Sequence, residues 1–573
     1  IVVFYAQTSP GQLIMLLGLC VANTIKRRKR SMAEKQLTQN EKMARGTFWA
    51  TTGNTLSRLM GAFYIIPWYA WMGKYGNQAN ALYGMGYNIY AYFLLLSTTG
   101  INVAVAKQIA KYNAMDKEDH SIHLIKSFLK LMGVVGLVFA IIMYLASPLF
   151  AIVSGTGPEL IPVIHSLSLA VLVFPAMSVI RGIFQGYSDF KPYAMSQIFE
   201  QLIRVIWMLL TAYFIMQLGS ADYVKAVSQS TLAAFIGMIA SMTVLVFYLN
   251  KAGLLKKIFA KEAKNIKIDT LGLLKETLKE AIPFIITGSA IQTLQLIDQG
   301  TFNNVLALFT NYSQTERNIL FSYMSANPSK INMILISVAT SIGGVGIPVI
   351  TESFTKKNWE ELRKVVVNNL QMLWLFILPA VVGSVILAKP IYVVFYGLPT
   401  KTAHYLFVFV MAETVLLALY SLMAPMLQAL FENRKAIQYF LWGILAKVLF
   451  QVPMMYVFGP YGPLVATALA LWIPIVLMYF KIQEVTEFDH AEIRQDAGTI
   501  LWMTLVMGLV VGLGYFGLSQ VYPVVGRVSS LVHVVILGAL GVCVYGYFAL
   551  RTRQVDGLLG RKAESLRQRF HIK

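Results

Sequence analysis

Cysteine is nearly missing from this chain. Cys20 and Cys543 are the only two in 573 residues, which excludes a disulfide framework and a cysteine-rich zinc site. Charge is scarce as well: 13% of residues are charged against 57% hydrophobic, and the mean hydropathy is +0.61. Ordinary soluble domains carry about 25% charged residues, so the composition excludes the several soluble domains that length alone would suggest. No G-x-x-x-x-G-K-[ST] phosphate loop occurs; the one Gly-Lys, Gly73-Lys74, runs into Tyr75. The chain therefore carries no ATPase engine of that kind. His165, His404 and His533 are scattered and read as interfacial or packed residues. No nucleophile–base pair, metal-ligand spacing or paired carboxylates typical of an enzyme stand out, so no enzyme activity, cofactor or metal is expected.

What fills the chain instead is apolar runs of about 20 residues, each enough to cross roughly 30 Å of hydrocarbon as helix. Their polar breaks give fourteen candidate spans, at 47–73, 80–106, 127–150, 161–187, 194–217, 223–249, 281–308, 330–352, 365–388, 403–431, 437–459, 463–480, 499–518 and 530–550. The net charge of +21 could suggest nucleic acid, but the placement of the cations argues for a bilayer. Most of the 48 Lys and Arg fall on the side of the N-terminus, leaving Lys74, Lys225, Arg317, Lys330, Lys389, Lys401 and Arg527 on the other. The positive-inside bias then puts both termini in the cytoplasm of a bacterial plasma membrane. The Tyr and Trp at span ends read as interfacial belts.

Landmarks repeat along the chain. Gln185 and Arg204 recur as Gln428 and Lys447; Ala146-Ser147-Pro148 with Gly155 recurs as Ala388-Lys389-Pro390 with Gly397; Gly100 and Ala104 answer to Gly344 and Pro348. Such a register implies that spans 1–6 were duplicated as spans 7–12, and internal duplication is a mark of transporters. The expected fold is an all-α polytopic membrane protein of fourteen transmembrane helices: a first lobe at 47–249, a second at 281–480, and two further helices within 499–550. Residues 250–280 read as an amphipathic helix on the inner membrane surface, with Leu254, Leu255, Ile258, Phe259, Leu273, Leu274 and Leu278 on an otherwise basic linker. Residues 1–46 and the basic tail 551–573 read as cytoplasmic. Residues 1–31 open on Ile1 and carry an apolar stretch before, not after, the basic run Lys26–Arg30, the reverse of a signal peptide; the natural start is expected at Met32.

Seven ionisable residues fall inside spans: Arg58, Arg181, Glu200, Arg204, Asp298, Glu413 and Lys447. Each costs roughly 2.5–3.5 kcal/mol at mid-helix on the insertion scale, so they must face one another or a wet cavity. Arg181 either snorkels to the cytoplasmic surface or lines that cavity. Glu200 and Arg204 stand i,i+4 and either neutralise each other or serve a ligand. Arg58 has no acid within a turn, which favours a cavity role. Asp298 and Lys447, in different spans of one lobe, form either a structural pair or an ion-coupling site, and Glu413 fits either purpose. Lys330, at the outer mouth of span 8, reads as interfacial, with the cavity as its alternative.

The stretches Ala44-Arg-Gly-Thr-Phe-Trp49, Ser57-Arg58-Leu-Met-Gly61 and Tyr64-Ile-Ile-Pro-Trp68 resemble the opening of Gram-positive polysaccharide-biosynthesis proteins of the YtgP/SpoVB type. So do Arg181-Gly-Ile-Phe-Gln-Gly186, Pro192, Ser196-Gln197, Glu200-Gln201 and Arg204. These belong to the multidrug/oligosaccharidyl-lipid/polysaccharide exporter superfamily, beside the MurJ lipid II flippases. The resemblance implies two six-helix lobes forming a V, spans 13–14 making a lateral groove for a lipid tail, and outward movement of an undecaprenyl-pyrophosphate-linked oligosaccharide. Arg58 sits in the Ser-Arg-x-x-Gly motif that the flippases share. Their second arginine six residues on is Tyr64 here, and their Asp-Arg near the start of span 8 is replaced by Ser325-Ala-Asn-Pro-Ser329 and Lys330.

The reading is a flippase for a lipid-linked cell-wall precursor, most simply lipid II, working by alternating access. Its substrate-binding residues are Arg58, Arg181, Glu200, Arg204 and Lys330, and Asp298, Glu413 and Lys447 are the candidates for coupling to Na⁺ or H⁺ if the membrane potential does not act alone. The partners are the lipid-linked sugar, the phospholipid bilayer and the enzymes of wall synthesis, not nucleic acid. Two rivals remain: a cation-coupled drug antiporter, kept alive by Asp298 and Glu413, and a non-transporting scaffold for wall synthesis.

Overall fold

The computed structural model describes residues 56–572, apart from 58–59, 62, 99–100, 116–117, 188, 261–271, 273–281 and 557–560. Arg58, the N-terminal segment 1–46 and most of the 250–280 linker lie outside the described residues. Among those described, every regular element is a helix: α1 (Ile65–Met72), α2 (Gly76–Thr98), α3 (Ile101–Ala114), α4 (Glu118–Leu145), α5 (Ser147–Val153), α6 (Leu160–Gly186), α7 (Phe190–Tyr213), α8 (Tyr223–Lys251) and α9 (Leu254–Phe259). After the linker come α10 (Ala290–Phe309), α11 (Gln314–Phe321), α12 (Asn327–Thr355), α13 (Trp359–Ile386), α14 (Ala388–Tyr396), α15 (Lys401–Ala429), α16 (Asn433–Phe458) and α17 (Gly462–Thr486). The chain closes with α18 (His490–Val521), α19 (Arg527–Arg551) and α20 (Arg561–Arg569).

The breaks between helices follow from local chemistry. Asp222 accepts from the amides of Val224 and Lys225 at 3.0 and 3.1 Å to start α8, and Ser313 with Glu316 forms a capping box on α11. The turns between α1 and α2 and between α16 and α17 share one design. Gly73-Lys-Tyr-Gly76 and Gly459-Pro-Tyr-Gly462 both open on a glycine at φ +56° and form one 3₁₀ turn. That φ favours glycine, and a side chain at Gly462 would strike the Met455 backbone at 2.4 Å.

The helices carry their apolar side outward. Val134, Leu137, Val138, Ile141, Ile142 and Leu145 form an exposed stripe down α4, each 47–71% accessible. A stripe of this extent is tolerable only where lipid covers it. Ten helical stretches among the described residues are long and apolar enough to cross a membrane, one of them running 54 residues through Asn433–Thr486 and so covering two of the fourteen spans read from sequence. The protein is a multi-pass, all-α membrane protein.

Several boundaries differ from the reading. The span placed at 80–106 falls on α2 and α3, with 99–100 between them outside the described residues. The helix that carries span 8 starts well before 330: α11 continues through a π-helical turn, Ser322–Ala326, into α12. Ser325-Ala-Asn-Pro-Ser329 looks like a break because Ser, Asn and Pro favour turns. Here Asn327 is buried against another helix, and Pro328 stands where the π-helical turn passes into α12, the local adjustment that accommodates its missing amide. Other landmarks correspond: α4 breaks to α5 at Ala146 as α13 breaks to α14 at Leu387, and Gly155 and Gly397 both take positive φ, +60° and +85°.

The core shows how the two halves meet. One apolar cluster joins Tyr64–Leu249 with Phe302, Leu306, Phe321, Tyr392, Phe407, Met455 and Leu464, so the halves share a core at the end carrying the α10–α11 turn. At the opposite end the second half keeps a separate cluster, from Leu294 and Ile350 to Leu422, Met478 and Ile482. The molecule is thus closed at one end. Helices α18 and α19 dock against α13 and α14 through Leu375, Leu387, Ile500, Met503, Met507 and Leu537.

Candidate functional site

In the first half, α6 and α7 bring three of the predicted residues together. Glu200 bridges two guanidiniums, with Arg181 Nη2 at 2.7 Å and Arg204 Nη2 at 2.6 Å. Arg181 does not snorkel. It is 7% exposed, donates to Ser196 and Ser241 at 3.1 and 3.0 Å, and lies over the Tyr193 ring. A buried cation beside an acid and two hydroxyls gains more from those partners than from reaching for water. Nor do Glu200 and Arg204 merely neutralise each other: two arginines on one carboxylate leave a net charge of +1. Arg204 Nε has no protein partner. The close approach needs Gly237 on α8, where a β-carbon would stand 2.6 Å from the Glu200 carbonyl. Gly61, of the Ser-Arg-x-x-Gly motif, packs against Gln201 of α7.

Facing Arg204 is a row of tyrosines on α2. Tyr83, Tyr87 and Tyr90 recur at i, i+4 and i+7 and so share a helix face. The first two stack at 4.5 Å and the next two meet edge-on at 5.5 Å. All three are within electrostatic reach of Arg204. At the other end of the row, Lys330 lies over the Tyr83 and Tyr64 rings at 5.3 and 5.5 Å. Lys330 is therefore seated on the seam between the halves.

That seam is polar and buried at the closed end. Asn80 donates to Asn327 at 2.7 Å, Asn327 donates to Tyr392 at 2.7 Å, and Tyr396 donates to the Asn327 carbonyl at 2.7 Å. Asn88 reaches Gln299 at 3.1 Å, and Gln299 reaches Ser154 at 2.9 Å. The amides that seem to interrupt apolar helices are the fasteners between halves.

In the second half, α10 and α16 join Asp298 to Lys447 at 2.6 Å. Lys447 is fully buried and its other protons go to the Pro463 carbonyl, at 2.9 Å, and to Thr467. Gln451 donates to the same Asp298 oxygen at 2.9 Å. Glu413 on α15 sits within electrostatic range of both, and its buried Oε1 has no partner.

The candidates thus divide into Arg181–Glu200–Arg204, Lys330 at the seam, and Asp298–Lys447 with Glu413 nearby. Sequence reading missed the tyrosine row and the amide fasteners. Tyr64, Tyr83, Tyr90, Tyr392 and Tyr396 are buried inside, not set in an interfacial belt; the 83/87/90 spacing was the available signal. His533 is packed beside Tyr515 and Tyr522, and His165 stacks on Tyr144 at 3.8 Å.

Comparison with known proteins fits this architecture. The chain is 31% identical over 540 residues to the Lipid II flippase MurJ of Bacillus subtilis (strain 168), covering 91% of this chain and 98% of that one. It is 26% identical over 194 residues to Stage V sporulation protein B of the same organism, 34% of this chain and 37% of that one. Among solved structures, a Lipid II flippase MurJ in an inward closed conformation aligns at a TM-score of 0.61 with 16% identity, over 87% of this chain and 97% of that one. An inward-facing multidrug resistance transporter of the MATE family aligns at 0.57 with 16% identity, over 75% and 98%. These two likenesses establish the fold. The model of the polysaccharide biosynthesis protein family matches residues 43–354, and the chain belongs to that family.

Proposed function

We propose that this protein moves a lipid-linked cell-wall precursor, most simply lipid II, from the inner to the outer leaflet of a bacterial plasma membrane by alternating access. The observation that carries the reading is the near full-length match to a lipid II flippase, joined to a net positive cluster at Arg181, Glu200 and Arg204 in the apolar first half. A pyrophosphate carries about two negative charges, and desolvated arginines replace its hydration with charge-assisted hydrogen bonds. With the interior negative, carrying two negative charges outward gains roughly 4–5 kcal/mol per 100 mV, at about 2.3 per charge. The empty cationic site is drawn back by the same field. The cation bias puts the closed end outside, so this conformation would load from the cytoplasmic side.

The acids divide on a drug antiporter. A cationic substrate needs an available carboxylate; Glu200 and Asp298 are engaged by cations, whereas Glu413 keeps a buried Oε1 without a partner and leaves that rival to the experiment. Reconstituted vesicles given fluorescent lipid II or a cationic dye test the reading. Movement of lipid II alone is expected; movement of the dye alone favours the antiporter, and movement of neither overturns the lipid II reading.

A further inference from the structure

The tyrosine row on α2 is built in a way that packing does not require. Tyr90 is 4% exposed, and its hydroxyl has no protein partner. The Tyr87 hydroxyl lies near that of Tyr83 without a well-formed hydrogen bond. Arg204 Nε and the indole N–H of Trp207 are equally without protein partners. A buried phenol normally finds an acceptor, and phenylalanine would fill the same space without the desolvation cost. These four groups, on α2 and α7, each present an N–H or O–H that no protein acceptor satisfies. They suit a ligand that accepts hydrogen bonds and carries negative charge.

The row also has direction. Tyr83 to Tyr90 rises about 10 Å along the helix, at 1.5 Å per residue, roughly a third of the hydrocarbon thickness. Two cations flank the row: Arg204 acts most on Tyr87, then on Tyr90 and Tyr83, and Lys330 lies over Tyr83. Arg204 belongs to the first half and Lys330 to the second, so a phosphate passing between them changes lobes.

Resting on the flippase reading, we infer that Tyr83, Tyr87 and Tyr90 form a phenolic rail that hands the phosphates of the lipid-linked substrate from Arg204 to Lys330. The phenols donate to phosphate oxygens that have left one cation and not yet met the other, and the stacked rings keep water out. The ligand chemistry is an anionic phosphate diester or pyrophosphate, and the rail favours the lipid-linked pyrophosphate over ordinary phospholipid because its cation stations suit a double charge.

The test is Tyr87→Phe combined with Tyr90→Phe, which keeps both rings and their stacking. The full-length protein is reconstituted, and movement of fluorescent lipid II and of fluorescent phosphatidylglycerol is timed beside thermal unfolding. Expected are an unchanged or raised Tm, lipid II movement slowed about tenfold or more, the scale of one lost charge-assisted hydrogen bond, and no phosphatidylglycerol movement in either protein. A double variant as fast as the wild type overturns the rail and leaves the flippase reading intact. A lowered Tm shows the hydroxyls to be structural and also overturns it. Equal slowing of phosphatidylglycerol assigns the rail to bilayer lipid and overturns its specificity for the pyrophosphate. A wild-type protein that moves no lipid II overturns the function and the rail together.

Discussion

Arg181 and Arg204 share one carboxylate, yet differ in what they have left to give. Arg181 spends its donors on Ser196, Ser241 and Glu200, whereas Arg204 keeps Nε free. Arg204→Gln should therefore cut lipid II movement at least tenfold with normal membrane abundance. Arg181→Gln should act first on stability, lowering abundance and Tm, because it strands Ser196, Ser241 and half of Glu200. Transport per folded molecule separates the two, and equal losses would show that both bind substrate. Lys447 has no proton to spare, which favours a tether over a coupling site. Lys447→Met alone should cost about 3–5 kcal/mol by leaving Asp298 buried and unpaired. Asp298→Asn with Lys447→Gln should recover most of that and keep transport. A folded double variant whose transport loses its dependence on Na⁺ or pH would instead mark a coupling pair. Arg58, known here only from its motif, should fail to complement a flippase-depleted strain as Arg58→Ala, and Arg58→Lys should be intermediate because the ammonium lacks the planar fork.

At the scale of elements, the closed end depends on one amide. Asn327 receives from Asn80 and Ser322, donates to Tyr392, and lends its carbonyl to Tyr396. Asn327→Ala leaves Asn80, Ser322 and Tyr392 without their side-chain partner, at about 1–3 kcal/mol each, while the backbone carbonyl that Tyr396 uses remains. The closed end should then open more often. With Cys20→Ser and Cys543→Ser as background, the buried Met324 replaced as Met324→Cys should react faster with a membrane-impermeant maleimide when Asn327→Ala is added. Unchanged reactivity would show that the apolar contacts of Phe302, Phe321 and Phe407 hold this end by themselves. The same residue shows why the helix of span 8 reads as starting later than it does. A one-dimensional reading penalises Asn, Ser and Pro in a membrane helix, because lipid offers no hydrogen bonds; a neighbouring helix does offer them, and no local pattern announces it.

For the whole molecule, the decisive quantity is the field across the bilayer. If two negative charges move outward, an inside-negative diffusion potential of 100 mV imposed on vesicles should speed lipid II movement in that direction, and reversing its sign should slow it. A rate indifferent to the potential would mean that the charge moves neutralised, with a cation at its side. The sequence by itself determined that the chain spans a membrane many times, that ionisable residues interrupt its apolar runs, and that landmarks near Arg204 recur near Lys447. Those conclusions rest on hydropathy, span length and spacing, which are properties of position along the chain. Only the tertiary structure decided that Glu200 is shared by two arginines, that Asp298 meets Lys447, that Lys330 lies on the seam, and that the tyrosines face Arg204 and not the headgroups. A charge pair or a row of phenols is made by helices that are distant in sequence, and in a bilayer nearly every helix face is apolar, so amphipathicity does not reveal which side turns inward.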